Sequence, residues 1–330
     1  MSASKLIDGL SDLFDGTLAE DLEPTLFLDT GFPPLNHALT GDYDKGIPCG
    51  RIAEIFGPPS CGKTAIATSM MASAINAGGF ALFMDHERTF EIELARSLGL
   101  DDSTGRFVRL KPTTFEQSLK VVIHTANRIR ENKLIEKSAP IVVVFDSLAS
   151  MVPASKMSKD VDEMTMADSL ALAKATSTAL PVMAMWAEKL GMTLIFLNQT
   201  RENPGQTHGD PTRTPGGKAM PFYATVRIKL NASQLKETES GEKIVLGQRV
   251  TATVIKNKFN RPFLKAEWNF VFQDDGKGHF DVLGGVVDHL TDIGTLELKG
   301  ARVVWDGKSL FKSQVADYIR KNKQESQLLA

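Results

Sequence analysis

Eight consecutive residues limit what this chain can fold into: Gly57-Pro58-Pro59-Ser60-Cys61-Gly62-Lys63-Thr64 fills every fixed position of the G-x-x-x-x-G-K-[ST] phosphate-binding loop. The motif carries meaning only between a strand and a helix. Arg51-Ile52-Ala53-Glu54-Ile55-Phe56 alternates polar and apolar residues as a strand does, and Ala65 to Ala72 reads as a helix. The two glycines let the backbone curl so that successive N–H groups face phosphate oxygens. The helix N-terminus adds partial positive charge at the same place. Lys63 then reaches the β- and γ-phosphates, and the Thr64 hydroxyl is a ligand for Mg²⁺. The loop therefore implies a bound nucleoside triphosphate.

A chain of 330 residues can bury one large α/β core and a small extra lobe. Its apolar runs, such as Ile141 to Phe145, are strand-sized and too short to cross a bilayer. The first residues carry Asp8, Asp12, Asp15, Glu20, Asp21 and Glu23 against Lys5, the wrong charge for a secretory leader. Cys49 and Cys61 lie outside any metal spacing, and a disulfide at Cys61 would distort the phosphate loop. Both are expected as reduced thiols in a cytoplasmic setting. With a net charge of −2, any nucleic-acid site must be local or assembled from several subunits.

Residues 3–15 place Leu6, Ile7, Leu10, Leu13 and Phe14 at helical spacing, either folded back on their own chain or docked on a neighbour. From 51 to about 230, short apolar strands alternate with helices, the signature of parallel βαβ units. Strands are expected at 51–56, 80–84, 141–145, 193–198 and 225–230, and helices at 64–77, 90–98, 115–132 and 164–190. Pro181 should kink the last helix or divide it in two. Segments 248–258 and 264–273 look like an antiparallel edge hairpin. The expected organisation is an N-terminal helix and oligomerisation arm (1–40), an α/β core with a mainly parallel sheet (41–274) and a small C-terminal α/β lobe (275–330). Two connections, 152–163 and 201–217, follow strand C-termini, the side on which open parallel sheets bind ligands.

Three further positions suggest a hydrolytic site. Ile141-Val142-Val143-Val144-Phe145-Asp146 is an apolar strand ending in a carboxylate, which can hold Mg²⁺ or simply cap the next helix. Phe80 to Asp85 leads into His86 and Glu87. Glu87 is the candidate base for the attacking water, against the reading of a solvated acid at a strand end. Gln199 ends the strand Leu194 to Asn198 just before the long loop, where an amide can sense a γ-phosphate or be purely structural.

Together these blocks resemble the RecA-type recombinases, including the phage members of that group. Gly50 to Thr64 looks like the family's phosphate-loop block, Asp85-His86-Glu87 its catalytic-glutamate block, and Phe145 to Ala149 its metal-carboxylate block. Phe196 to Arg201 and Pro215 to Ala224 resemble the segments entering and leaving its second DNA-binding loop. Val254 to Phe259 resembles the strand bearing paired lysines. The run Gly216-Gly217-Lys218-Ala219-Met220-Pro221-Phe222-Tyr223-Ala224 is far more specific than any phosphate-loop motif.

The resemblance implies an ATP- and Mg²⁺-dependent helical filament on single-stranded DNA that finds homologous duplex DNA and exchanges strands, helped by single-strand-binding and loading proteins. It assigns phosphate binding to residues 57–64, metal to Thr64 and Asp146, water activation to Glu87 and γ-phosphate switching to Gln199. Lys256 and Lys258 would reach ATP bound by the adjacent protomer. DNA contact would fall to Met164, Met166, Arg201, Arg213, Gly216, Gly217 and Lys218, lining the filament axis. Leu94 stands about where the family commonly carries a tyrosine stacked on adenine. A mediator without hydrolysis should lack the base, the amide or the lysine pair. A hexameric helicase lacks the Gly216–Ala224 block, and a small-molecule kinase has no need of a long 201–217 loop.

Overall fold

The computed structural model describes residues 26–157, 170–202, 212–239, 242–274 and 277–329. The helix expected at 3–15 lies outside them, as do Met164 and Met166. Among the described residues the strands are β1 (Phe27–Leu28), β2 (Ile47–Pro48), β3 (Ile52–Gly57), β4 (Phe80–Asp85), β5 (Phe107–Leu110), β6 (Ile141–Asp146), β7 (Met192–Gln199), β8 (Arg201–Glu202), β9 (Thr212–Arg213), β10 (Val226–Glu239), β11 (Glu242–Asn257), β12 (Lys265–Phe272), β13 (Gly278–Asp281), β14 (Leu298–Lys299), β15 (Arg302–Trp305) and β16 (Lys308–Phe311).

Nine of them form one sheet in the order β13-β12-β11-β10-β3-β7-β6-β4-β5. From β10 to β5 every pairing is parallel, while β10 to β13 run antiparallel to one another. β3 and β6 are buried along their whole length. That burial is why β6 reads as a near-continuous apolar run rather than a half-polar one. Successive side chains alternate between the two faces. Val142 and Val144 pack in one core with Ile66, Met70 and Phe83, beneath the helix Lys63–Asn76. Ile141, Val143 and Phe145 pack in a second core, beneath the helices Phe115–Glu131 and Ala171–Leu190.

Local signals set the helix ends. Thr114 caps Phe115–Glu131 by accepting from the Gln117 N–H at 3.1 Å, and Gln117 Oε1 accepts from the Thr113 N–H at 2.8 Å. Gly191, in the left-handed region, closes Ala171–Leu190. That helix runs through Pro181 as one element rather than as two. Leu180, Met183 and Ala187 on either side of the proline bury one face, and that packing outweighs the lost backbone bond.

Two features differ from the sequence-based reading. The strand expected at 225–230 continues to Glu239 and pairs with β11 as a ribbon of 14 and 16 residues. β12 is covered by β13, so the expected edge hairpin is internal to the sheet. A third core, with Val286, Leu290, Val303, Val315 and Ile319, joins the helices Val282–Asp292 and Lys312–Asn322 to the small sheet β14–β16. Tyr43 meets this lobe: its ring stacks on His37, and its hydroxyl lies 3.3 Å from His289 Nε2.

Phe145 and Phe196 stack at 4.4 Å between neighbouring strands, and both are fully buried. Phe145→Ala is expected to cost about 3–5 kcal/mol in denaturant unfolding. A loss below about 1 kcal/mol would show that this core does not hold β6 against β7.

Candidate nucleotide-binding site

Parallel pairing puts the C-terminal ends of β3, β7, β6 and β4 on one edge of the sheet. Register aligns Gly57 with Gln199 and Asp85 with Asp146. The phosphate loop leaves β3 at this edge. A side chain at Gly57 would collide with the Leu230 carbonyl at 2.3 Å and with Cys61 Sγ at 2.9 Å, so only glycine lets β10 approach. Gly62 has φ 86°, and a Cβ there would face open space. Gly62 is also the N-cap of the Lys63–Asn76 helix, with no side-chain cap and no acidic residue in the first turn. A helix start left in this way, opening onto a cleft, suits an anion.

The cleft has a volume of about 420 Å³, and Pro59, Ser60, Gly62, Lys63, Thr64, Glu87, Asp146 and Gln199 form its polar side. Lys63 Nζ donates to the carbonyls of Gly57 at 3.2 Å and Pro58 at 2.6 Å, so the ammonium lies over the mouth of its own loop. Cys61 beneath it is a buried free thiol, and burial pushes its pKa up. Cys49, the other thiol, is also free and is pushed up to about 11 by burial.

The Thr64 hydroxyl donates to Asp146 Oδ2 at 2.7 Å. This hydroxyl and carboxylate, side by side at the helix start, are the hard oxygen ligands that Mg²⁺ takes. Three donors converge on Glu87 Oε1: the Ser147 hydroxyl at 2.5 Å, the Gln199 amide at 2.9 Å and the Ser150 hydroxyl at 3.4 Å. Backbone bonds fix the same corner, since the N–H groups of His86 and Glu87 both donate to the Asp146 carbonyl. Asp85, buried beside them, is paired with Arg109 at 2.5 Å.

Leu94, Val250, Phe270, Phe272 and Phe280 form the apolar side of the cleft, with Gln248 among them. Leu94 therefore does reach the site. The facing aromatic rings come from β12 and β13, and sequence reasoning missed them, as it missed Ser147 and Ser150. Phe270 and Phe272 share one face of β12 at the strand period, but only strand pairing shows that this face meets the cleft.

The other expected residues lie elsewhere. Lys256 Nζ donates to the carbonyls of Pro221 and Phe222, each at 2.8 Å, and Lys258 is exposed just past β11. Neither lines the cleft. Burial and the neighbouring cations Lys258 and Arg227 lower the Lys256 pKa. Arg201 and Arg213 face each other across the β8–β9 pair, and both are exposed. Gly216 and Gly217 both have positive φ, and exposed Lys218 precedes the short helix Ala219–Tyr223.

Loop, sheet edge and carboxylates define a phosphate-loop nucleotide-binding protein of the α/β class. A family model of the RecA N-terminal domain matches residues 26–277. Protein RecA of Corynebacterium jeikeium is 33% identical over 309 residues, covering 93% of this chain and 76% of that protein. Protein RecA of Mycobacterium ulcerans is 34% identical over 87% of this chain and 76% of its own length. Protein RecA of Nostoc sp. is 34% identical over 86% and 72%. The chain belongs to the RecA family of recombinases, proteins of DNA recombination and repair. Among the described residues no helix is long and apolar enough to cross a membrane.

Burial pushes the Asp146 carboxyl up to about 6, with the Glu87 and Asp85 charges adding to it and the Thr64 hydroxyl and Lys63 opposing it. Its ordinary value is 3.8, so the folded state holds the proton more tightly than the unfolded chain and stability falls as pH rises from about 4 to about 6. Asp146→Asn is accordingly expected to stabilise the nucleotide-free protein at pH 8 by up to about 3 kcal/mol. Below pH 4 the two proteins should converge. Thermal unfolding across this range checks the sign, and a destabilised variant at pH 8 would contradict the assignment.

Proposed function

We propose that this chain is an ATP-dependent recombinase whose ATPase is stimulated by single-stranded DNA. On that strand it forms a helical filament, pairs it with homologous duplex DNA and exchanges strands in the cytoplasm. The observation that carries this reading is the convergence of Lys63, Thr64, Asp146, Glu87 and Gln199 on one cleft, while Lys256 and Lys258 of the same protomer stay outside it. A cleft lined by the Glu87 and Asp146 carboxylates that also takes a triphosphate needs more positive charge than Lys63 supplies. A second protomer presenting its lysine pair would complete it.

In this reading residues 57–64 cradle the triphosphate, with Lys63 exchanging its loop carbonyls for phosphate oxygens. Thr64 and Asp146 hold Mg²⁺, which when bound neutralises charge on the β- and γ-phosphates. Glu87 accepts a proton from the attacking water, held in place by the Ser147 hydroxyl. Gln199 is the switch: its amide, which donates to Glu87 Oε1, turns to a γ-phosphate oxygen. Leu94 packs on one side of the adenine and the Phe270, Phe272 and Phe280 wall on the other.

The Arg201–Arg213 pair supports a polyanion at the loop base, because like charges directly opposed on two strands repel unless an anion lies between them. Lys218, Gly216 and Gly217 continue that surface, and Met164 and Met166 are proposed to reach the bases from the other loop. Residues 1–40 are proposed as the assembly arm, 41–274 as the motor and 275–330 as an appended lobe. Loading and single-strand-binding proteins are proposed as further partners.

Glu87→Gln is expected to keep ATP binding and DNA-bound polymers while slowing turnover about 100-fold or more. Steady-state hydrolysis together with electron microscopy checks both halves, and wild-type turnover would remove Glu87 from this role. Lys256→Ala and Lys63→Ala should each abolish DNA-stimulated hydrolysis alone. Mixed in equal amounts, they should recover activity at about a quarter of the seams of a random head-to-tail polymer. No recovery would place Lys256 in a local role.

A further inference from the structure

In the interior of β3, between Ala53 and Ile55, stands Glu54, a charged side chain with 0% exposure. Its two oxygens have different partners. Arg227 Nε donates to Oε2 at 2.6 Å, and Asn198 Nδ2 donates to Oε1 at 2.9 Å. The strand register places Arg227 directly beside Glu54, and Lys256 directly beside Arg227. Glu54, Arg227 and Lys256 thus form one row across three strands. The Arg227 guanidinium also sits 4.7 Å from the centroid of the Phe56 ring, which fixes its orientation.

Asn198 uses both ends of its amide. Nδ2 donates a second time, to the Pro215 carbonyl at 3.0 Å, and Oδ1 accepts from the Gln199 N–H at 3.0 Å. At the far end of the row Lys256 clasps the carbonyls of Pro221 and Phe222. One buried carboxylate therefore bonds the strand end that carries Gln199, which reaches the loop exit through Asn198, and Arg227 on β10, the strand paired with the one that carries Lys256.

Stability alone does not require this arrangement. A buried ion pair repays its desolvation poorly, and apolar replacements of similar volume are often neutral or stabilising. What the network does supply is a fixed spatial relation between three functional segments, in a core too densely packed to deform gradually.

We propose that Glu54 is a positioning residue that couples the nucleotide-facing Gln199 to the loop exit at Pro215 and, through Arg227, to Lys256. When Gln199 leaves Glu87 for a phosphate, Asn198 carries the shift of the β7 end to Pro215, and the Glu54–Arg227 pair carries it to the lysine strand. This inference rests on the proposed role of Gln199 as the switch.

The test uses the full chain without DNA. Trypsin cleavage after the exposed Arg213 and Lys218 is timed with and without Mg²⁺ and the non-hydrolysable analogue AMP-PNP. Wild type, Glu54→Gln and the double variant Glu54→Gln/Arg227→Met are compared. The double variant removes both charges together, so no lone buried cation threatens the fold, and thermal unfolding verifies it. In wild type the analogue should change the cleavage rate about 5-fold or more. Both variants should bind the analogue with wild-type affinity and keep the KM for ATP, yet lose the cleavage response. Their DNA-stimulated kcat should fall about 10-fold.

A folded variant that keeps the wild-type response overturns the coupling while leaving the Gln199 switch intact. A wild type with no response to the analogue removes the switch itself, and the coupling with it. A variant in which analogue affinity falls in step with kcat overturns the positioning role as well, because Glu54 would then be supporting the site rather than linking it.

Discussion

Parallel pairing of β3, β7, β6 and β4, in a register that sets Gly57 beside Gln199 and Asp85 beside Asp146, places a phosphate loop and several carboxylates at one sheet edge. This arrangement delivers the Thr64 hydroxyl to Asp146 and Gln199 to Glu87. The electrostatic consequence follows directly. Asp146 is buried within reach of two further acids, and burial raises its proton affinity. A cation beside these acids would favour the ionised form of Asp146.

Much of this was legible in the sequence because burial leaves a simple trace. β6 and β7 lie between two helical layers, so their apolar runs stand out, and the polar residue ending each run marks the ligand edge. The ribbon β10–β11 was missed beyond Leu230 for the opposite reason. β3 pairs with β10 only from Val226 to Lys229. Beyond Ala232 the ribbon carries mostly exposed residues such as Ser233, Gln234 and Lys243, with no core to impose alternation there. Ala171–Leu190 shows tertiary packing overriding a local breaker at Pro181. The aromatic wall opposite Leu94 was invisible because β11, β12 and β13 build it only by pairing. Glu54 reads as one polar position in an alternating strand, and nothing in the sequence reveals that it is fully buried.

The same geometry explains why the lysine pair lies away from the cleft of its own protomer. Lys256 is two strands from β3 and faces the short helix Ala219–Tyr223, whose last carbonyls it holds. Phe222, at 70% exposure, leaves a large apolar ring on the surface at the same spot. A lysine with lowered pKa beside an exposed aromatic ring suits a surface that a second copy covers. In the proposed reading, nucleotide cleft and lysine strand are two halves of one site, joined when protomers meet.

The specific ATPase rate as a function of protein concentration, with and without saturating single-stranded DNA, tests this account most directly. If the cleft is completed by a neighbour, turnover per protomer should be near background in dilute protein without DNA and should rise steeply as protomers assemble on the strand. Equal turnover per protomer at all concentrations, in the absence of any polynucleotide, would contradict it.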